Sequence, residues 1–283
     1  MKGSASTARR ARRRWGQHFL ADRRACQRII EAFAPSAGDG VLEIGPGRGA
    51  LTRLLAGAVR SLVAVEIDER LAEDLRRSLA GFPSVEVLPG DILETDLAGI
   101  ARKLAPPGGR IRVIGNLPFS IATAVVQKLL RTAHLLSNAL LMTQKEVAAR
   151  LLADAGSREY GYISVLVALT CRGRPVLELP PGAFRPPPKV RASVIALEFP
   201  QSPALPLKVL DSVENLLKRA FAQRRKMLVN ALRSLSPSPS PDFPAKLREM
   251  LRLCGAPENA RPEQLTPGQY VELSRLLHDS PFL

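Results

Sequence analysis

The sequence predicts an α/β fold with a parallel sheet, followed by a smaller all-helical domain at the C-terminal end. Between residues 41 and 152, short β-rich segments alternate with helical patterns, which is typical of a parallel sheet covered by helices on both faces. After Pro200 the strand-like segments stop, and only amphipathic helical patterns follow. A chain of 283 residues is long enough for one large domain and one small one.

The first part of the chain supplies most of the predicted sheet. A helix is expected to begin near Asp22, a typical N-cap residue, and to carry Ile29, Ile30 and Phe33 at helical spacing. The strands predicted after it are Val41–Ile44, Leu62–Ile67, Val85–Leu88, Arg112–Ile114 and Ala139–Thr143. The helices predicted among them are Ala50–Ala58, Glu69–Leu79, Ile121–Thr132 and Lys145–Leu152.

The pattern changes near Tyr162. Three further segments are strand-like, and the last two favour antiparallel pairing because no long helix separates them: Ile163–Leu169, Arg174–Leu179 and Ala192–Phe199. The later helical patterns are Leu207–Leu235, broken near Ala222, then Ala245–Cys254 and Pro267–His278. We therefore predict a basic flexible arm at residues 1–14, an α/β domain at 15–200 and a helical domain at 201–283.

The charge of the chain indicates a polyanionic partner. There are 41 Lys and Arg residues against 26 Asp and Glu residues, which gives a formal net charge of +15. Residues 1–30 hold nine basic residues and one acidic residue, so more than half of the excess lies on the first tenth of the chain. A soluble protein with such an excess usually binds nucleic acid or an anionic membrane surface.

The sequence also argues against a membrane-spanning protein and against a disulfide-rich protein. No apolar run approaches the roughly 18 residues that a membrane span needs. Cys26, Cys171 and Cys254 are few, odd in number and without CxxC spacing, which favours a reducing compartment over a disulfide framework or a zinc site. We expect a cytoplasmic protein without a metal, with an organellar transit peptide as the alternative reading of the Arg-rich N-terminus.

A glycine-rich turn is the sharpest local feature. The segment Glu43–Gly49 follows a predicted strand and precedes a predicted helix, and its glycines allow a tight turn that approaches a ligand closely. Glu66 stands 21 residues after Gly45, at the end of the next strand, where a carboxylate accepts both hydroxyls of a ribose. Alone, such a turn is also compatible with a purely structural role.

Two more strand ends carry polar residues. Asp91 follows the third strand and Asn116 follows the fourth, and in a doubly wound sheet these ends converge on one crevice. Asp91 taken alone is equally well explained as a turn or capping residue. Pro46 removes an amide that would bind a pyrophosphate, so hydride chemistry on a dinucleotide fits less well. The pattern suits a nucleoside cofactor without phosphates and points to S-adenosylmethionine.

The segment Asn116–Phe119 indicates the methyl acceptor. An exocyclic amine becomes nucleophilic when acceptors hold its two hydrogens, and the Asn116 side-chain carbonyl and the Leu117 backbone carbonyl are expected to do so. Pro118 helps to fix the loop, and Phe119 is expected to stack on an extruded base. No strong general base is needed, since the amine loses its proton after the methyl group arrives. The alternative is an ordinary strand-end turn with a core Phe.

Here the sequence resembles the KsgA-type rRNA adenine dimethyltransferases, from Gly16 to the helical tail. The resemblance implies a Rossmann-like class I methyltransferase sheet with the smaller helical domain. It rests on the segments Gly16–Leu20, Glu43–Gly47, Gly90–Asp91, Asn116–Phe119, Gln144–Leu151, Phe184–Val190 and Phe221–Lys226, together with Glu66.

The resemblance also implies particular contacts. The cofactor residues that it implies are His18, Leu20, Gly45, Glu66, Asp91 and Asn116. His18 stands where Asn is frequent in the family, and Phe119 replaces the usual Tyr, which keeps stacking but loses a phenol hydroxyl. Phe184 is expected to face Phe119 across the target adenine; its alternative role is that of a core or loop-anchoring Phe.

Basic residues are expected to contact rRNA phosphates. The resemblance favours this for Arg224, Arg225 and Lys226, and Lys189 and Arg191 are expected to act in the same way. A merely solvated face is the alternative for each. The Arg9–Arg14 run is expected to be a flexible arm that adds salt-sensitive affinity.

The resulting hypothesis is dimethylation of adenine N6 at two adjacent adenosines near the 3′ end of 16S rRNA. The partner would be the immature small ribosomal subunit, and the protein is expected to act as a monomer without metal or membrane. Two alternatives stay open: a macrolide-resistance type enzyme acting on large-subunit rRNA, and a non-catalytic assembly or transcription factor on the same fold.

Overall fold

The computed structural model describes residues 17–118, 120–233 and 242–278. The chain divides into two compact units, the first formed by residues up to 148 together with 172–201 and the second by 149–171 together with 202–278. Among the described residues, every helix is too short or too polar to cross a membrane. The predicted arm at residues 1–14 lies outside the described part of the chain.

The first unit contains a seven-stranded sheet and a two-stranded ribbon. The strands are β1 (Phe19–Leu20), β2 (Gly40–Ile44), β3 (Ser61–Glu66), β4 (Val85–Pro89), β5 (Ile111–Asn116), β6 (Leu136–Gln144), β7 (Arg172–Leu179), β8 (Phe184–Arg185) and β9 (Ala192–Glu198). The sheet has the order β4-β3-β2-β5-β6-β9-β7, and β1 pairs with β8 in the ribbon. The first five strands of the sheet are parallel, while β9 and β7 join antiparallel.

The helices of the first unit follow its strands. They are α1 (Arg23–Phe33), α2 (Thr52–Leu55), α3 (Glu69–Ser78), α4 (Leu97–Leu104) and α5 (Ala122–Arg131), and α6 (Lys145–Leu151) includes the residues at which the two units divide. The expected start at Asp22 is confirmed, since Asp22 Oδ1 accepts a hydrogen bond from the Ala25 amide at 2.8 Å. Asp68 caps α3 in the same way, accepting from the Arg70 amide at 3.0 Å.

The central strands are buried on both faces. All five residues of β2 and all but the first residue of β3 are buried, which explains their nearly continuous apolar sequence. From β2 the chain builds outward to β3 and β4, and then returns to place β5 and β6 on the other side of β2. The direction of winding therefore reverses between β2 and β5, and in such sheets a crevice opens at the carboxyl ends of the strands there.

The second unit is helical. Its helices are α7 (Tyr162–Thr170), α8 (Leu207–Ala222), α9 (Leu228–Leu232), α10 (Phe243–Leu253) and α11 (Pro267–His278). Two buried tyrosines satisfy their hydroxyls on backbone carbonyls: Tyr160 donates to Leu265 at 3.0 Å and Tyr270 donates to Pro262 at 2.7 Å. Phe221 lies between their rings, with centroid distances of 6.2 and 6.0 Å, so one aromatic cluster anchors this core.

The structure corrects the predicted strand Ile163–Leu169, which is part of helix α7. A short, continuously apolar run carries no hydrophobic period that separates a strand from a helix. The local signal for a helix lies at its first turn, where Ser164 Oγ accepts from the Gly161 amide at 3.0 Å. As a result residues 149–171 belong to the second unit, whereas the sequence placed them in the α/β domain at 15–200.

Three smaller differences concern local elements. The predicted helix Ala50–Ala58 is reduced to α2, because Gly57 adopts a positive φ of 82° just after it. Helix α4 was missed, although its buried residues recur at helical spacing. The ribbon of β1 and β8 was also missed, since pairs of two residues carry no periodic pattern.

Gly40 provides a test of the packing between β2 and α4. A Cβ built on Gly40 would lie 1.9 Å from the Leu104 carbonyl oxygen, so Gly40→Ala forces the helix away from the strand. We expect the variant to lose about 2–4 kcal/mol of unfolding free energy, measured by urea unfolding. In the control Gly81→Ala the new methyl group has no neighbour within 4 Å, and a loss as large as that of Gly40→Ala would contradict the explanation.

Candidate active site

A cleft of about 90 Å³, partly open to solvent, lies at the carboxyl ends of β2, β3, β4 and β5. The sheet and the segments that follow its strands line the cleft together with the start of the chain: Gln17, His18, Phe19, Ile44, Gly45, Gly47, Val65, Glu66, Ile67, Gly90, Asp91, Ile92, Asn116, Leu117, Pro118, Ser120 and Ile121.

The glycine-rich loop forms the floor between β2 and β3. Gly47 has a φ of +56°, and a Cβ at this position would lie 2.8 Å from Cδ1 of the Phe19 ring. A side chain is therefore excluded both by backbone conformation and by close contact. The Gly45 amide donates to the Val65 carbonyl at 3.0 Å, which continues the ladder of the sheet into the loop.

Glu66 ends β3 inside the cleft and is 2% exposed. Its Oε2 accepts from the Gly47 amide at 2.9 Å, and its Oε1 accepts from the Asp68 amide at 3.0 Å. Burial raises the pKa of Glu66, while these two amides act to lower it. Gln17 Nε2 also donates to Oε1 at 3.5 Å, so the acceptor capacity left for a ligand hydroxyl lies mainly on Oε2.

Asp91 lies in the turn that follows β4 and is half-buried. Its Oδ1 accepts from the Leu93 amide at 2.8 Å, and its backbone carbonyl accepts from the Thr95 hydroxyl at 2.7 Å. The turn is therefore closed on Asp91 itself. Within the described chain no group donates to Asp91 Oδ2, so this oxygen is available to a donor in the cleft.

Asn116 is the last residue of β5, and its amide is oriented by the N-terminal segment. Asn116 Nδ2 donates to the His18 carbonyl at 2.9 Å, which leaves Oδ1 as the acceptor that the side chain offers to the cleft. The Leu117 amide donates to the Met142 carbonyl at 3.0 Å, and Leu117 and Pro118 both line the cleft. Phe119 lies outside the described residues.

The N-terminal segment is held by the β8 ribbon. Phe19 pairs with Arg185 and Leu20 with Phe184, while His18 Nδ1, taken as the donor, lies 2.8 Å from the Pro186 carbonyl. Leu20 is buried in the core cluster beside the cleft, and its cofactor contact stays a prediction. The other five implied cofactor residues, His18, Gly45, Glu66, Asp91 and Asn116, meet in the one cleft.

The expectation that Phe184 stacks on a target base is not met. The ring is 1% exposed and packs in the core cluster with Leu20, Cys26 and Ala183. Because antiparallel cross-strand partners share a face, Phe184 lies on the core side of the ribbon with Leu20. Its alternative role as a core residue is the one that the structure supports.

The expected RNA-contacting residues are exposed. Arg191 lies 3.6 Å from the Glu178 carboxylate, which also pairs with Lys145 at 2.7 Å, so part of the charge near Lys189 is balanced. In the second unit Arg224 Nη2 donates to the Arg158 carbonyl at 3.0 Å. Arg225 and Lys226 follow it at exposed positions.

Glu43, the first residue of the glycine-rich segment, is a second buried acid, and its sequence context predicted no separate role for it. It lies in β2, is 2% exposed, and its Oε2 accepts no hydrogen bond from the described residues. Burial raises the pKa of Glu43 to about 8, and the nearby Glu66 acts in the same direction. It lines a cavity of about 20 Å³ beside the cleft, together with Gly45 and Asn116, which is room for one water molecule.

Comparisons with known proteins agree on one family. A sequence model of the ribosomal RNA adenine dimethylase family matches residues 8–253. Ribosomal RNA small subunit methyltransferase A of Geobacter sulfurreducens is 40% identical over 267 residues, covering 94% of this chain and 95% of that protein. The protein of the same name from Alkaliphilus oremlandii is 36% identical over 262 residues, covering 93% and 90%.

Solved structures give the same result for the fold. A dimethyladenosine transferase from Plasmodium falciparum has a TM-score of 0.74 and 26% identity, covering 90% of this chain and 96% of that one. The 23S rRNA methyltransferase ErmE has a TM-score of 0.65 and 27% identity, covering 92% and 100%. The expected class I methyltransferase sheet and helical C-terminal part are confirmed.

The raised pKa of Glu43 predicts a pH dependence of stability. Between an ordinary pKa of 4.5 and a folded pKa of about 8, the unfolded chain releases the Glu43 proton while the folded chain retains it. The unfolding free energy therefore falls as pH rises across this window. Glu43→Gln lacks this contribution. Across the pH window, the unfolding free energy of wild type should therefore fall by on the order of 2–4 kcal/mol more than that of the variant.

Urea unfolding near the two ends of that window measures the difference. Glu31 is exposed, so the control Glu31→Gln should show the same pH dependence as wild type. If Glu43→Gln and Glu31→Gln behaved alike, Glu43 would not be the group that holds its proton in the folded chain.

Proposed function

Because the chain belongs to the ribosomal RNA adenine dimethylase family, we propose that it methylates N6 of two adjacent adenosines near the 3′ end of 16S rRNA. The methyl donor would be S-adenosylmethionine, and the substrate would be the immature small ribosomal subunit. The observation that carries the proposal is the orientation of Asn116, whose Nδ2 is held by the His18 carbonyl in the wall of the cleft.

The cleft suits a nucleoside donor without phosphates. Glu66 supplies carboxylate oxygens for ribose hydroxyls, and Asp91 Oδ2 supplies an acceptor for the amine of the adenine ring. Gly45 and Gly47 leave room for close approach along the loop, and Pro46 offers no amide to a phosphate. When bound, S-adenosylmethionine supplies an electrophilic methyl group on a sulfonium.

The acceptor side activates an aromatic amine by hydrogen bonding. Asn116 Oδ1 and the Leu117 carbonyl accept the two N–H bonds of the adenine amine, which favours a pyramidal nitrogen with an available lone pair. No base of high strength is needed, because the proton leaves the nitrogen only after it has gained the methyl group. Phe119, next to Pro118, would stack on the extruded base.

The basic residues of each unit would contact RNA phosphates. Lys189 and Arg191 in the first unit and Arg224, Arg225 and Lys226 in the second are exposed, as phosphate contacts must be. The Arg9–Arg14 run would add affinity that decreases with salt. The proposal includes action as a monomer in the cytoplasm, with the sparse cysteines in reduced form.

Methyl transfer to ribosomal particles tests the acceptor. Immature small subunits from cells that lack this protein are incubated with it and labelled S-adenosylmethionine, and the label is mapped on the RNA. We expect label on two adjacent adenosines near the 3′ end of 16S rRNA. Label on large-subunit RNA alone would favour the macrolide-resistance type, and cofactor binding without any transfer would favour a non-catalytic assembly factor.

Two substitutions should separate binding from chemistry. Asn116→Ala removes an acceptor for the amine and should lower turnover about 100-fold, with a much smaller change in cofactor affinity. Glu66→Ala removes the buried carboxylate and should weaken cofactor binding on the order of tenfold or more. Calorimetry and single-turnover methylation measure the two effects, and the exposed Asn230→Ala serves as a control. Unchanged turnover in Asn116→Ala would contradict the proposed activation.

A further inference from the structure

Two walls of the cleft come from strands that are not neighbours. The turn with Asp91 follows β4 and the loop with Asn116 follows β5, while β3 and β2 lie between these strands. Three interstrand spacings separate β4 from β5, which is roughly 14 Å. The hydrogen-bond ladder of the sheet therefore links these two walls only through β3 and β2.

Lys128 makes a further contact with the Asp91 turn. It lies on α5, the helix that follows the Asn116 loop, and its side chain is half-buried. Lys128 Nζ donates to the Leu93 carbonyl at 2.6 Å and to the Thr95 carbonyl at 2.7 Å. A surface lysine usually extends its ammonium into water, whereas this one is directed onto two backbone oxygens of the opposite wall.

The two acceptors belong to the turn that presents Asp91. The Leu93 amide donates to Asp91 Oδ1 at 2.8 Å, and the Thr95 hydroxyl and amide donate to the Asp91 carbonyl at 2.7 and 3.0 Å. Lys128 thus binds the outer side of a turn whose inner side holds the Asp91 carboxylate. Leu93 and Thr95 are bonded both to Asp91 and to Lys128, so a shift of this turn would move Asp91.

We propose that Lys128 is a positioning residue that ties the Asp91 turn to the helix of the acceptor loop. This contact keeps the Asp91 turn, which would bind the cofactor nucleoside, at a constant distance from the Asn116 loop, which would bind the target amine. The inference rests on the proposed function, since it takes Asp91 as a contact to the cofactor. Lys128 itself is not part of the cleft wall and touches neither reactant.

The test removes the ammonium and keeps the aliphatic stem. Lys128→Met should bind S-adenosylmethionine about tenfold more weakly by calorimetry, because Asp91 is no longer held in place. Lys128→Arg retains donors for both carbonyls and should recover most of the affinity. The matched control is Lys103→Met on α4, an exposed lysine that pairs with Glu86 of β4 and should leave cofactor affinity unchanged.

A double-mutant cycle separates positioning from a general loss of structure. In an Asp91→Ala background there is no carboxylate to position, so Lys128→Met should change cofactor affinity less than about twofold. In the absence of cofactor, hydrogen exchange at residues 91–96 should accelerate in Lys128→Met, while the amides of Val85–Leu88 exchange as in wild type. Because exchange at residues 91–96 is compared with exchange in β4, the measurement still reports on the turn if the variant is less stable overall.

The outcomes are distinct. Weaker binding in Lys128→Met that disappears in the Asp91→Ala background supports the positioning role. Unchanged cofactor affinity in a folded Lys128→Met, or an equal loss in both backgrounds, overturns it while the proposed function stands. If the wild-type chain itself fails to bind S-adenosylmethionine, the proposed cofactor is wrong and this inference is overturned with it.

Discussion

The hydrogen bond from Asn116 Nδ2 to the His18 carbonyl is the contact on which the site depends. A free carboxamide can rotate by 180° and present either its oxygen or its nitrogen to a ligand. With Nδ2 bonded to His18, this orientation is fixed, and Oδ1 is the atom of the side chain that can accept a hydrogen bond from an amine. The β1–β8 ribbon keeps His18 in place, so a segment distant in sequence orients the Asn116 side chain.

The electrostatics of the cleft depend on two buried acids with different tasks. Glu66 receives two backbone amides, which stabilise a negative charge next to the positions where ribose hydroxyls would lie. Glu43, on the neighbouring strand, has no such donor at Oε2, and burial with the proximity of Glu66 raises its pKa to about 8. Because its pKa of about 8 keeps Glu43 protonated at neutral pH, Glu43 adds no negative charge beside Glu66.

The features that could be predicted are those in which a local pattern has one physical explanation. Helix α11 and the meeting of Glu66, Asp91 and Asn116 in one cleft followed from periodicity and from the geometry of parallel strand ends. Helix α7 was predicted as a strand because a short, continuously apolar run carries no hydrophobic period. The ribbon, and with it the burial of Phe184, depends on pairing between segments about 165 residues apart, which no local pattern encodes.

The burial of Phe184 changes how the target base would be recognised. With this ring in the core, Phe184 does not form one side of an aromatic sandwich in the described conformation, and the proposed function assigns stacking to Phe119 alone. Stacking tolerates every base, whereas a pair of carbonyl acceptors requires an amine with two hydrogens. Under the proposed function, selection of adenine rests mainly on Asn116 and Leu117, and hydrogen bonds to the His18 and Met142 carbonyls hold these two residues.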